Sequence, residues 1–161
     1  MTKESKAQRL KEIYTVLLIC AVYSIALNLL SVLLSGYWNL RNFIVCVIVG
    51  YIVGDILGIF LPLAKWGMAT ARLVGFSFEK PKAFRVGVGI FYTFYFVLME
   101  SFVMVVFSMC VLGHTPFGAA MLAWVQGFIP NYLVSLVITL TLLGVFENIA
   151  AKLAHAEPAE Y

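Results

Sequence analysis

The sequence predicts an all-α protein: a four-helix transmembrane bundle made of two parallel-repeat helical hairpins, with the N- and C-termini cytoplasmic. Three observations predict it. The composition is too apolar for a soluble domain, four apolar runs are long enough to cross a bilayer, and the charges gather on one side of those runs. Of 161 residues, 63% are apolar and 12% charged, and the mean hydropathy is +0.98. A soluble chain of this size needs far more polar surface to cover its core.

The spans are expected at about 13–35, 42–64, 86–112 and 117–146, each at or above the roughly 20 helical residues that a hydrocarbon core requires. Runs of this length without strand-type alternation favour helices over barrel strands. The first is too long for a signal-peptide core and no A-x-A site follows it, so it reads as an uncleaved anchor. Lys3, Lys6, Arg9 and Lys11 precede the first span. Lys65, Arg72, Lys80, Lys82 and Arg85 lie between the second and third, and Lys152 follows the fourth. Arg41 alone falls on the other side, and the positive-inside rule then places both termini and the basic loop 65–85 in the cytoplasm. The net charge of +3 follows from this asymmetry and calls for no nucleic acid. The expected location is the inner (cytoplasmic) membrane, multi-pass. The whole chain, 1–161, reads as a single membrane domain.

The first hairpin (about 13–75) lies over the second (about 86–152) with matched positions: Ser24 on Ser101, Ser31 on Ser108, Gly36 on Gly113, Gly50 on Gly127 and Gly67 on Gly144. Gly36 and Gly113 each stand where a C′ glycine ends a helix. Thr115-Pro116 reads as an N-cap and N1 pair for the fourth span. Each hairpin returns the chain to the same side, so the repeats are parallel. The stretches KWGMATARLVG and ENIAAKLAHA read as helical continuations of the second and fourth spans. Pro62 and Pro130 are expected to kink those spans. Trp66, Phe76 and Phe78 among basic residues place loop 65–85 on the inner interface, and the tail AHAEPAEY reads as disordered.

The tandem hairpin plan, the overall length and the closing stretch AWVQGFIPNYLVSL (Trp124, Gln126, Asn131) resemble a family of small bacterial integral membrane proteins built from tandem repeats of a two-helix domain of unknown function. The resemblance implies a bacterial cytoplasmic membrane protein and brings no activity or catalytic residues with it.

Polar residues inside the spans are the candidate site. Asp55 and Glu100 each fall within about 3 Å of their span's midpoint at 1.5 Å per residue. Ser24 and Asn131 lie near the centres of the first and fourth spans, with Asn28 about a turn away. Ser24, Asn28, Ser31 and Ser35 share one face of the first span, and Gly127, Asn131, Ser135 and Thr139 one face of the fourth. These stripes are expected to point into the bundle. Gly50-x-x-x-Gly54-x-x-x-Gly58 marks a packing face on the second span, with Asp55 at its border.

The nearest cations on that span, Lys65 and Arg41, are about 15 and 21 Å from Asp55 along the axis, too far to snorkel to it. A charge at the bilayer centre costs roughly 2.5–3.5 kcal/mol on insertion scales. Both acids are therefore expected protonated, hydrogen-bonded or paired with a bound cation, and to share one proton if they face each other.

Two readings stand side by side. In one, Asp55 and Glu100 form a proton or cation site of a small coupled transporter, with Asn28, Asn131 and Ser24 as neutral ligands. In the other, the carboxyls are neutral donors knitting helices together in a non-catalytic accessory or assembly subunit of a larger complex, which the glycine stripe would suit. No enzyme activity, metal site or cofactor is expected. Cys20, Cys46 and Cys110 read as small core residues, a Cys46–Cys110 disulfide being the alternative for the two near the outer face. Partners are the lipid bilayer and a homodimer or larger membrane complex.

Overall fold

A computed structural model describes residues 3–36, 38–77 and 79–156. Among the described residues five helices follow in order: α1 (Lys3–Ser35), α2 (Leu40–Phe60), α3 (Leu63–Leu73), α4 (Pro81–Val105), which continues as a π-helical segment (Val106–Leu112), and α5 (Phe117–Ala154). There is no strand among the described residues. Four of the helical stretches are long and apolar enough to cross a membrane: Ser5–Leu34, Leu40–Phe60, Pro81–Leu112 and Phe117–Ala154. The short connections 36–39 and 113–116 share one end of the bundle, the loop end. Ten of the eleven Lys and Arg residues, the start of α1 and the end of α5 lie at the other, the basic end, with Arg41 alone at the loop end.

The spans pack in a ring, α1 against α2 and α5, and α4 against α2 and α5. Their burial pattern is inverted relative to a soluble bundle. Large apolar side chains point out, as in the stripe Ile44, Ile48, Ile52, Ile56 of α2 and Leu122, Val125, Ile129, Leu133 of α5. Ser24, Thr93, Glu100, Ser101, Ser135 and Thr139 are buried inside. Such a surface suits a solvent as apolar as leucine, where small and polar residues carry the helix contacts. The apolar core is correspondingly small, built on Ile19, Cys20, Tyr23, Leu63, Phe96 and Val97.

The glycine stripe of α2 lies inside this ring. A Cβ at Gly50 would meet Ser24 and Met104, one at Gly54 would meet Cys20 and Phe96, and one at Gly58 would meet Val16. The stripe therefore seats α2 on α1 and α4 of the same chain.

Several local expectations change. Pro62 ends α2 rather than kinking it: Leu61 is extended (φ −88°, ψ 140°), as a residue before proline prefers, and a separate helix, α3, begins at Leu63. Loop 65–85 thus carries much of a helix packed along α4. Gly67 closes on the Val88 and Tyr92 backbone, and the Thr70 and Tyr95 hydroxyls are 2.9 Å apart. Pro130 is accommodated inside an uninterrupted α5, and the N-cap of α5 is Pro116, with no side-chain cap from Thr115.

Gly36 takes the left-handed conformation (φ 66°), but at the second connection His114 takes it (φ 51°) while Gly113 stays at φ −95°. Glu147 accepts a hydrogen bond from Arg85 Nη2 at 2.6 Å, tying α4 to α5 at the basic end. Cys20, Cys46 and Cys110 are free thiols. Phe78 and the tail 157–161 lie outside the described residues.

Candidate functional site

A cavity of about 620 Å³ opens at the loop end between α1, α2, α4 with its π segment, and α5. Asn39 and Asn42 stand near its mouth, Asn28 and Ser31 on the α1 wall, Ser101 and Ser108 on the α4 side, and Gln126 and Asn131 on α5. Apolar wall comes from Leu27, Val32, Phe43, Met104, Met109 and Pro130. The π segment contributes Ser108 and Met109, where an extra residue per turn widens the helix; π-helical turns recur at functional sites.

Glu100 is the acid of this vestibule. It lies about 18 Å in from Leu112 along the helix, is 2% exposed and lines the cavity. Its Oε2 is buried with no hydrogen-bond partner, and so is Asn131 Oδ1 on the facing helix. Buried polar atoms ordinarily have a partner, and these two acceptors, lining one cavity, are open to a donor that enters it. The amide of Asn28 donates to the Ser24 carbonyl at 2.7 Å, which leaves its own oxygen as an acceptor. Ser101 is already committed: its Oγ donates to the Val97 carbonyl at 2.5 Å and accepts from Trp124 Nε1 at 3.0 Å.

The vestibule gathers Glu100, Asn28 and Asn131 but not the other two candidates. Ser24 is buried at 1% exposure behind Gly50, with its Oγ donating to the Cys20 carbonyl at 2.8 Å. Asp55 lies outside the cavity lining, flanked by Cys20 and Tyr51. Its Oδ1 is likewise buried and unpartnered, so the two carboxyls are not joined through Asp55 Oδ1 and Glu100 Oε2. The cause is rotation about α2: Gly50 and Gly54 turn into the contact with α1 and α4, and the residue after Gly54 is carried toward α1.

On the basic side of Glu100 lies a hydroxyl cluster that spacing alone only half reveals. Tyr23 Oη is hydrogen-bonded to Thr139 Oγ1 and donates to the Ser135 carbonyl at 3.1 Å. Thr93 Oγ1 lies 2.8 Å from Thr139 Oγ1, and Ser135 Oγ has no partner. Ser135 and Thr139 belong to the polar stripe seen in the sequence. Tyr23 and Thr93 were missed; Thr93 stands two helical turns before Glu100 on the same face, which was the available signal. The α1 stripe itself does not bridge helices, because Ser24, Asn28 and Ser31 each bond a carbonyl one turn back on α1.

The arrangement defines a multi-pass, four-span helical membrane protein with a polar vestibule ending on a buried carboxyl. No family model, curated protein or solved structure matches the chain.

Proposed function

We propose that the protein is a small proton- or cation-coupled carrier of the cytoplasmic membrane, in which the vestibule admits solute from the outer face and Glu100 exchanges a proton for it. The observation that carries this reading is Glu100 Oε2, buried at the vestibule and without a partner. A carboxyl serving only to knit helices would be hydrogen-bonded across them, and the bridges between helices here are made by Tyr23, Thr93, Trp124 and Tyr132 instead. Intramembrane acids facing a cavity mark ion and substrate pathways. The reading is non-enzymatic: Ser101, the hydroxyl next to Glu100, donates its proton to the Val97 carbonyl rather than to Glu100 and accepts from Trp124 Nε1.

The groups around Glu100 are Cys20 and Tyr23 of α1 and Tyr92 of α4, none of them a cation. The test is carboxyl infrared spectroscopy of the protein in lipid as bulk pH is varied. A band that responds reversibly to pH, disappears in Glu100→Gln and persists in Asp55→Asn is expected. A Glu100 band indifferent to pH would overturn the carrier reading and favour an accessory subunit, in which Glu100→Gln alters stability alone.

A further inference from the structure

The vestibule has the chemistry of a particular ligand class. Building on the carrier reading, we infer that its solute is a small organic ammonium ion that bears at least two N–H bonds and an apolar body, the N–H groups donating to Glu100 Oε2 and Asn131 Oδ1.

Charge comes first. Among the described residues Glu100 is the only acid lining the cavity and no Lys, Arg or His lines it, so once Glu100 gives up its proton the field at the inner end favours cations and disfavours anions. Size comes next. At about 620 Å³ the cavity has room for roughly 20 water-sized volumes of ~30 Å³, far more than a bare inorganic ion fills. Hard divalent ions take six or more closely set oxygens. Among the described residues no three His, Cys, Asp or Glu side chains come together to hold a metal.

The walls supply the third argument. Met104 and Met109 bring polarisable, adaptable thioethers, and Phe43 an aromatic face, so an apolar body of variable shape is accommodated beside the polar pole.

The hydrogen-bond inventory then narrows the class. The two orphaned groups, Glu100 Oε2 and Asn131 Oδ1, are acceptors, and an ammonium with N–H bonds satisfies both. A quaternary ammonium brings the charge but no donor, and leaves both oxygens dry and unpaired, which is the costly arrangement. A neutral alcohol brings one donor and no charge.

The test is isothermal titration calorimetry on the full chain in lipid nanodiscs, with hexylammonium and 2-phenylethylammonium chlorides as probes. Their N,N,N-trimethyl counterparts, hexanol, NaCl and KCl serve as comparisons, and protein-free nanodiscs correct for partitioning. The primary ammonium probes are expected to bind at least about tenfold tighter than the trimethyl forms and to release a proton, seen as a dependence of the heat on buffer ionisation. Binding is expected to be lost in Glu100→Gln and weakened in Asn131→Leu. Met104→Trp, which fills the cavity and leaves Glu100 in place, should block binding as well and stands in if either variant fails to fold.

Equal affinity for primary and trimethyl probes would overturn the N–H assignment, and binding that survives both Glu100→Gln and Met104→Trp would place the probe elsewhere. Absence of binding while the Glu100 infrared band still follows pH would sink the ammonium inference and leave the carrier reading standing. A band indifferent to pH would remove that reading itself.

Discussion

At the scale of single residues, the bundle separates polar groups that satisfy one another from those that do not. Tyr23 and Thr139 are at 0% and 1% exposure and join α1 to α5 through a hydroxyl–hydroxyl bond, with Thr93 adding α4. Hydrogen bonds between membrane helices contribute about 0.6 kcal/mol on average and up to roughly 1.7, because the dissociated helices also find partners. Tyr23→Phe and Thr139→Val should each cost that order of stability. A double-mutant cycle read by thermal unfolding in detergent should give a coupling near the same value. Additive effects would show that the pair contributes nothing beyond its separate packing. The sequence disclosed half of this cluster. Ser135 and Thr139 stand out by their four-residue spacing from Asn131, but a tyrosine and a threonine within aromatic-rich spans carry no mark of their partners. Likewise, spacing gives an acid's angle on its own helix and says nothing of how that helix is turned against its neighbours. Asp55 and Glu100 therefore looked equivalent at the midplane, although only Glu100 reaches the vestibule.

At the scale of elements, long apolar runs were legible because bilayer thickness imposes their length, and the four spans fall where the runs do. The exceptions have local causes. Pro62 stops a helix that hydropathy alone continues. The π segment leaves no side-chain signature, since it arises from where the α4 backbone bonds rather than from composition. The short helix after Pro62 is held by close backbone approach: an added methyl at Gly67 would sit 3.0 Å from Tyr92 N and 3.1 Å from Val88 O. Those are backbone atoms of α4, so relief requires moving one helix from the other. Gly67→Ala is expected to destabilise the protein by about 1–3 kcal/mol, as overpacking does. Gly118→Ala, where nothing lies within 4 Å, should be neutral or slightly stabilising through helix propensity. Melting temperatures of the two variants in the same detergent decide it, and equal shifts would mean that α3 is free to yield.

At the scale of the whole molecule, the two ends of the bundle are built differently. The basic end is closed by packing: Arg85 pairs with Glu147 across α4 and α5, and α3 lies along α4. Between that end and the vestibule stand the core around Tyr23 and Phe96 and the hydroxyl cluster. The loop end is splayed, with the π segment and the Asn39 and Asn42 edge of α2 around an opening that runs in to Glu100. This asymmetry predicts one-sided access, and with ten of the eleven Lys and Arg residues at the closed end, the positive-inside rule predicts an opening that faces away from the cytoplasm. In a background with Cys20, Cys46 and Cys110 replaced by alanine, Ser31→Cys, Asn42→Cys and Ser108→Cys should react with a membrane-impermeant thiol reagent added to intact cells. Ser135→Cys and Thr139→Cys should stay unreacted from either face in the resting protein. Labelling of the vestibule positions only in inverted vesicles would reverse the orientation. Prompt labelling of Thr139→Cys from the basic end would show a second opening there, the state an alternating-access carrier must visit, and the ammonium inference requires its rate to rise with an ammonium solute present.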